Sequence, residues 1–292
     1  MAKARAFDKR RKSIRNIRKI TRTMELIATA RFKKTMDRAH AAAAYTRRIT
    51  QLVADLATSG LEVKHPLLEG RETTNRAVLV ILTANRGLCG GYNSGVQRAG
   101  FARYQELKDA VPDVSLEISG KRGISAARFR NFQPDQTFTH FEDKPSFEEV
   151  EVLANRYLEA YAAGTLDRLD VAYMRFENVS RQVVAVETLL PLGALEGAQD
   201  GQNKTQSQYE FLPSAESILQ EVVPTSFKVK LFKCFLDAAV CEQVARMVAM
   251  KAATKAAGDR IKELSRQYNR ARQAQITGEI MEIIGGVEAL KK

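Results

Sequence analysis

The sequence lacks several patterns that would point to a metalloprotein, a disulfide-bonded domain or a membrane span. It has three cysteines and three histidines among 292 residues. The histidines have no cysteine, histidine or acidic neighbours at metal-ligand spacing, so we expect no metal site and no cofactor. Cys89, Cys234 and Cys241 are an odd number of widely spaced thiols, which is not a disulfide framework. No run reaches the roughly 18 apolar residues of a membrane span, which predicts a soluble or peripheral protein.

Proline and glycine are nearly absent from both ends of the chain. All seven prolines lie between Pro66 and Pro224, and 13 of the 17 glycines lie between Gly60 and Gly201. Because these residues are the strongest helix breakers, their distribution predicts a long helix at each end and a globular centre. We therefore expect an N-terminal coiled-coil helix over residues 1–60, a central α/β domain over 61–212 and a C-terminal coiled-coil helix over 213–292.

Charge divides the chain in the same way. Residues 1–60 hold 16 Lys or Arg against 4 Asp or Glu, and residues 225–292 hold 13 against 7, whereas the middle holds 17 against 23. Any polyanionic or acidic partner should therefore meet the ends of the chain rather than its middle.

Both end segments carry apolar residues at alternating steps of three and four, which is typical of a coiled-coil seam. The first seam is predicted at Ile17, Ile20, Met24 and Ile27, and the second at Ala257, Ile261, Leu264, Tyr268 and Ala271. We place the start of the last helix after Pro224, with Thr225 as its cap. Each stripe is narrow, so we expect the two helices to wind around each other as an antiparallel coiled coil.

The central segment alternates strand and helix patterns, which favours a Rossmann-like α/β domain with a mainly parallel sheet. The strand candidates are residues 77–83, 114–119 and 169–178, followed by a run at 181–192, and residues 147–163 read as an amphipathic helix.

A glycine-rich segment, TANRGLCGGYNSG, follows the first predicted strand from Thr83 to Gly95. Its backbone amides could cradle a phosphate. It has neither the lysine-bearing P-loop spacing nor G-x-G-x-x-G, which favours a structural strand-to-helix turn. No serine, histidine and aspartate set or nucleophile elbow is evident, so we expect no catalytic residues.

The basic ends leave three interpretations open. They could follow a nucleic-acid backbone, they could be the solvated flank of a coiled coil, or they could face acidic protein loops.

Four blocks of sequence together resemble the gamma subunit of the rotary ATP synthases, of the bacterial type. They are IRNIRKITRTMELIATARFKK from Ile14, NRGLCGGYN from Asn85, EQVARMVAMKAAT from Glu242 and YNRARQAQITGEIMEIIGG from Tyr268. The resemblance implies a non-catalytic shaft that stands in a ring of three alpha and three beta subunits. Its central domain would meet the epsilon subunit and the membrane ring of c subunits, at the cytoplasmic face of the bacterial inner membrane.

The resemblance also implies contact residues. Met24 matches a methionine that faces the acidic lever loops of beta. The polar positions that catch beta-subunit loops are matched by Arg246, Arg272, Gln273 and Thr277. The apolar residues from Ile276 to Leu290 would enter a hydrophobic sleeve at the end of the ring.

Overall fold

The computed structural model describes residues 2–58, 66–68, 70–71, 73–141, 144–192 and 215–290. In chain order the elements are α1 Ala2–Thr58, β1 Arg76–Leu82, α2 Tyr92–Ala110, β2 Asp113–Ser119, α3 Lys121–Phe129, β3 Gln136–Phe138, α4 Phe147–Ala162, β4 Arg168–Asn178, β5 Arg181–Leu190 and α5 Ala215–Leu290. They form two compact units, one of Met1–Thr29 with Arg246–Lys292 and one of Ala30–Ala245. The predicted long terminal helices and central α/β domain are confirmed, whereas the predicted boundaries at 60/61 and 212/213 lie outside the described residues.

The first unit is an antiparallel helix pair. Arg11 stacks on the ring of Tyr268, with 4.6 Å from the guanidinium carbon to the ring centroid. The hydroxyl of Thr254 donates a 2.9 Å hydrogen bond to that of Thr21. Residue numbers rise along α1 as they fall along α5, which confirms the predicted antiparallel coiled coil.

The predicted seam is right on α5, whereas on α1 it is right only at Met24, which is half-buried. On α5, Ala257 and Leu264 are buried and Ile261, Tyr268 and Ala271 are half-buried. On α1, Ile17, Ile20 and Ile27 are 45%, 60% and 43% exposed. The described α1 residues that are buried or half-buried in this unit are Ala4, Phe7, Asp8, Arg11, Ile14, Thr21, Met24, Glu25 and Ala28. Among these residues, Ala4, Thr21 and Ala28 are small and allow close approach, and Arg11 stacks on the ring of Tyr268.

The second unit is built on a five-stranded sheet of order β3-β2-β1-β4-β5. The first four strands in that order pair in parallel, and β5 pairs antiparallel with β4. The predicted strands and the mainly parallel Rossmann-like arrangement are confirmed, and α4 starts with a capping box formed by Ser146 and Glu149. The short β3 and the helix α3 were not predicted from the sequence.

Each face of the sheet is covered by helices. On one face α2 and α3 pack over residues such as Leu79, Ile81 and Leu116. On the other, α4 and the first part of α5 pack over Val80 and Leu82, and Val223, Phe227 and Leu231 of α5 are fully buried there. The early part of α5 is therefore part of the α/β core.

This packing corrects the predicted start of the last helix. α5 begins at Ala215, and Pro224 lies inside it. Thr225 is not a cap, since its hydroxyl donates to the carbonyl oxygen of Glu221 one turn earlier at 2.8 Å. Burial of Val223 and Phe227 on either side of the proline compensates for the backbone hydrogen bond that proline cannot make.

Candidate partner-contact surfaces

The positive charge of the chain is concentrated in the helix pair. Met1–Thr29 and Arg246–Lys292 hold 20 Lys or Arg against 7 Asp or Glu, whereas Ala30–Ala245 holds 26 against 27. The helix pair therefore carries a net charge of +13 and the α/β unit one of −1. Such a surface attracts acidic partners over a distance of about 10 Å at moderate salt.

All five candidate contact residues lie on the helix pair, at two levels. The Thr21–Thr254 contact sets Met24 level with residue 251, so Met24 and Arg246 are about 8 Å apart along the axis. The second level holds Arg272, Gln273 and Thr277, which lie about 39 to 47 Å further along α5 than Arg246. One partner loop cannot reach both levels, so the arrangement suits separate contacts.

The five residues differ in what they offer to a partner. Arg272, Gln273 and Thr277 are exposed, and the hydroxyl of Thr277 donates to the carbonyl oxygen of Gln273 at 3.0 Å, which leaves an oxygen lone pair outward. Met24 is half-buried. Arg246 is only 7% exposed, so it presents the least surface of the five.

A basic cleft joins Arg272 to the start of α1. It has a volume of about 460 Å³ and is lined by Ala4, Arg5, Asp8, Lys9, Lys12, Tyr268, Arg272 and Gln275. Its one carboxylate is that of Asp8, which accepts hydrogen bonds from Lys12 and Arg11 within α1. These bonds lower the pKa of Asp8. The neighbours of Arg272 on α1 were not predicted from the sequence, although the antiparallel pairing implied them; they are Arg5, Lys9 and Lys12.

The end of α5 is an exposed apolar helix. Every described side chain from Gln273 to Leu290 except the half-buried Gln275 is exposed, and the apolar ones are 44% to 89% exposed. They are Ile276, Ile280, Met281, Ile283, Ile284, Val287 and Leu290. An apolar set of this size on one helix end marks a protein-binding surface.

The glycine-rich segment folds as a turn whose polar groups bind the protein itself. The backbone N–H of Ala84 donates to Asn93 Oδ1 at 2.9 Å. Asn85 Oδ1 accepts from the N–H of Lys121 at 3.0 Å, and its amide donates to the carbonyl oxygen of Thr139. These bonds hold the carboxyl end of β1 to α2, α3 and the segment after β3, which is the structural role favoured for this motif.

The described residues contain no group of three or more His, Cys, Asp or Glu side chains placed to hold a metal ion. Among the same residues, no helix is both long and apolar enough to cross a membrane. The thiols of Cys89, Cys234 and Cys241 are buried, and no disulfide joins them.

A basic antiparallel helix pair with an apolar tip, joined to a Rossmann-like α/β unit, defines a class of subunit that binds other proteins along a helical shaft. A family model described as ATP synthase matches residues 3–290. The ATP synthase gamma chain of Rhodopirellula baltica is 62% identical over 295 residues, covering all of both chains. That of Leptospira biflexa is 37% identical over 99% of this chain and all of its own. The chain belongs to the ATP synthase gamma chain family, whose members are subunits of a larger complex.

Solved structures share the fold. A chain in the rotor of the Euglena gracilis mitochondrial ATP synthase aligns with a TM-score of 0.61 at 17% identity, covering 94% of this chain and 99% of its own. A chain from a structure of the OSCP, F1 and c-ring parts of the same enzyme aligns with a TM-score of 0.65, covering 99% of this chain and 95% of its own. Both comparisons support the fold, which has long helices at both ends of the chain and an α/β domain in its centre.

Proposed function

We propose that this chain is the central rotor shaft of a proton-translocating ATP synthase. It couples proton flow through the membrane rotor ring to conformational change in the catalytic beta subunits. The observation that carries the proposal is the helix pair, which has a net charge of +13 and ends in seven exposed apolar side chains on α5. A shaft that turns inside a ring of acidic loops needs a basic surface and an apolar tip that the ring can enclose.

The proposed partners follow from what is known of the similar structures. Their chains are parts of an ATP synthase rotor and of an F1 and c-ring assembly. We therefore assign three alpha and three beta subunits to the helix pair, and the epsilon subunit and c ring to the α/β unit. The shaft itself carries out no chemistry, and ATP is formed in the beta subunits. The complex is placed at the cytoplasmic face of the bacterial inner membrane, where this chain is peripheral.

The contact residues lie at two levels of the shaft and are proposed to bind different loops of the beta subunits. Met24 meets the lever loops of beta. Loops near the catalytic interface are met by Arg246, Arg272, Gln273 and Thr277. Charged and polar contacts suit this role because they orient a partner and can be exchanged at each step without a large free-energy well. The apolar tip of α5 seats in the sleeve of the ring. We propose that the chain has three functional segments. They are an N-terminal coiled-coil helix over residues 1–60, a central α/β domain over 61–212 and a C-terminal coiled-coil helix over 213–292.

Family membership favours acidic protein loops over nucleic acid as the partner of the basic helices. A nucleic-acid complex would also weaken steeply with salt, which a simple binding titration would detect.

The test uses the assembled complex with single changes on α5. Arg272→Ala is compared with Arg270→Ala, since both arginines are exposed on the same helix end. We expect complexes of equal composition, and an ATP hydrolysis rate lowered roughly fivefold by R272A, which corresponds to about 1 kcal/mol for one lost charge contact. R270A should leave the rate within twofold of the native one. Equal rates for the two variants would remove Arg272 from the contact set.

A further inference from the structure

The basic cleft of the helix pair carries more positive charge than its own carboxylate neutralises. Its cations are Arg5, Lys9, Lys12 and Arg272. Asp8 is the one carboxylate among the described residues that line the cleft, so four cations stand against one anion and the net charge is +3. An excess of this sign, gathered around a volume of about 460 Å³, attracts an anion into the cleft.

The cations of α1 lie on one face of the helix. Arg5, Lys9 and Lys12 follow one another at steps of four and three residues, which places neighbouring side chains side by side. Like charges at such steps destabilise a helix. Tyr268 and Arg272 face them from α5, also four residues apart. An anion bound between the two helices would offset the repulsion within this row.

The carboxylate of Asp8 is already used inside α1. Its Oδ1 lies 2.6 Å from a guanidinium nitrogen of Arg11, and its Oδ2 lies 3.0 Å from the Lys12 ammonium nitrogen. No described carboxylate lies within ion-pair distance of Lys9 or Arg272. One cation on each helix is therefore available to a ligand from outside the chain.

One wall of the cleft is held in place by contacts within the helix pair. Tyr268 is half-buried, and the guanidinium carbon of Arg11 lies 4.6 Å from its ring centroid. The same guanidinium pairs with Asp8, and the Arg11 side chain is only 19% exposed. A wall that is ordered before binding lowers the conformational entropy that a ligand must remove.

The cations suit an anion that carries several phosphate groups in a row. Lysine ammonium groups bind phosphate oxygens as point charges, and an arginine guanidinium can bind two oxygens at once. Arg5 and Lys12 are about 10 Å apart along the axis of α1. A single phosphate is too short to meet cations over this distance, whereas a short chain of phosphates can follow the row.

We propose that the basic cleft is a binding site for a short linear polyphosphate, either inorganic or the phosphate chain of a nucleotide. Arg272 belongs both to this cleft and to the proposed beta-subunit contacts. A bound polyphosphate would therefore compete with a beta-subunit loop for Arg272. That consequence rests on the proposed function, whereas binding to the cleft does not.

Calorimetric titration of the isolated full chain with tripolyphosphate tests the site. The salt concentration is about 150 mM, which screens charges beyond about 8 Å. We expect one tripolyphosphate per chain. Lys9→Gln and Arg272→Gln should each weaken binding about fivefold, since each removes one charge-assisted contact. Lys19→Gln on α1 and Arg270→Gln on α5 remove the same charge from exposed positions outside the cleft and should leave the affinity within twofold.

Titration with ATP distinguishes the two sources of the phosphate chain. Binding of ATP as tight as that of tripolyphosphate assigns the site to a nucleotide, and weaker binding assigns it to an inorganic chain. Absence of binding for both ligands would overturn the proposal. Equal weakening by all four variants would also overturn it, because it would show a diffuse attraction to the basic helix pair.

Lysine acetylation of the native chain, followed by mass spectrometry, tests the site without any substitution. Saturating tripolyphosphate should slow the acetylation of Lys9 and Lys12 at least about fivefold and leave that of Lys19 unchanged. Equal protection of the three lysines, or protection of none, would reject the cleft as the site. Neither measurement contains alpha or beta subunits, so the result does not depend on whether the chain assembles with them.

Discussion

The substitution Gly120→Ala tests the structural role of the glycine-rich turn most sharply. Gly120 joins β2 to α3 with φ of 98°, a conformation that favours glycine. A Cβ atom at this position would lie 2.1 Å from the carbonyl oxygen of Thr83 and 2.5 Å from the carbonyl carbon. Those atoms are backbone at the end of β1, so they cannot rotate away as a side chain would.

The cost of this substitution has two parts. A residue with a Cβ atom in the left-handed region costs about 1–2 kcal/mol. Separating the two chain segments also endangers the bonds from Thr83 to the Ser119 carbonyl oxygen, 2.8 Å from the backbone N–H and 2.7 Å from the hydroxyl. Each is worth about 0.5–1.5 kcal/mol. The expected loss in free energy of unfolding is therefore about 2–5 kcal/mol.

Gly164→Ala is the matched control. Gly164 also has positive φ, 75°, but its added Cβ atom would meet only the end of the Arg71 side chain at 3.6 Å. It should cost about 1–2 kcal/mol, from backbone strain alone. Urea unfolding followed by tyrosine fluorescence reports on the α/β unit, because five tyrosines are buried there. They are Tyr92, Tyr104, Tyr157, Tyr161 and Tyr173. If G120A lowers the free energy of unfolding by no more than G164A does, the close approach of Thr83 does not destabilise the variant.

Two further predictions concern buried groups of the α/β unit. Arg156→Ala should lower the free energy of unfolding by about 2–3 kcal/mol in the same urea assay. The reason is that the carboxylate of Glu117 would keep only its hydrogen bond from Tyr157. The loss stays below that for a fully buried ion pair because the Arg156 side chain is 35% exposed. A loss under 0.5 kcal/mol would show that solvent replaces the guanidinium at no cost. Cys234 and Cys241 should react with iodoacetamide at pH 8 at least about a hundredfold more slowly in the folded chain than in urea, because they are buried and burial raises the pKa of both thiols. Fast alkylation of either thiol in the folded chain would contradict its placement in the core.

Much of the fold could be predicted from the sequence, because its signals were local. Strand β1 is a continuous apolar run from Ala77 to Leu82, and α4 starts after a serine with a glutamate three residues later. The seam of α5 follows from the spacing of Ala257 and Leu264. In each case hydrophobic period or cap chemistry alone determines the element.

The failures arose where tertiary contacts outweighed local preference. The isoleucine stripe of α1 predicted the wrong seam, since α1 turns Thr21 and Ala28 inward and leaves Ile20 60% exposed. Pro224 suggested a helix start, yet packing of the surrounding turns in the α/β core carries α5 through it. The cleft beside Arg272 was not predicted because it joins residues far apart in sequence, although the predicted antiparallel pairing brings the start of α1 to this part of α5.

The candidate contact residues came from resemblance to a family and not from periodicity. The structure places them on one unit and at two levels, and it separates the exposed Arg272 from Arg246, which is 7% exposed. It also adds the cations at the start of α1 to the surface around Arg272. Their individual roles stay predictions until contacts with the ring are measured.

The mass of the assembled complex tests the central claim most directly. The chain is produced together with the alpha and beta subunits of the same organism, and the purified particle is measured by native mass spectrometry. The proposed shaft predicts one copy of this chain with three alpha and three beta subunits, and loss of the particle's single copy when residues 246–292 are deleted. A chain that stays apart from the alpha and beta subunits, or that enters the particle in more than one copy, would contradict the account.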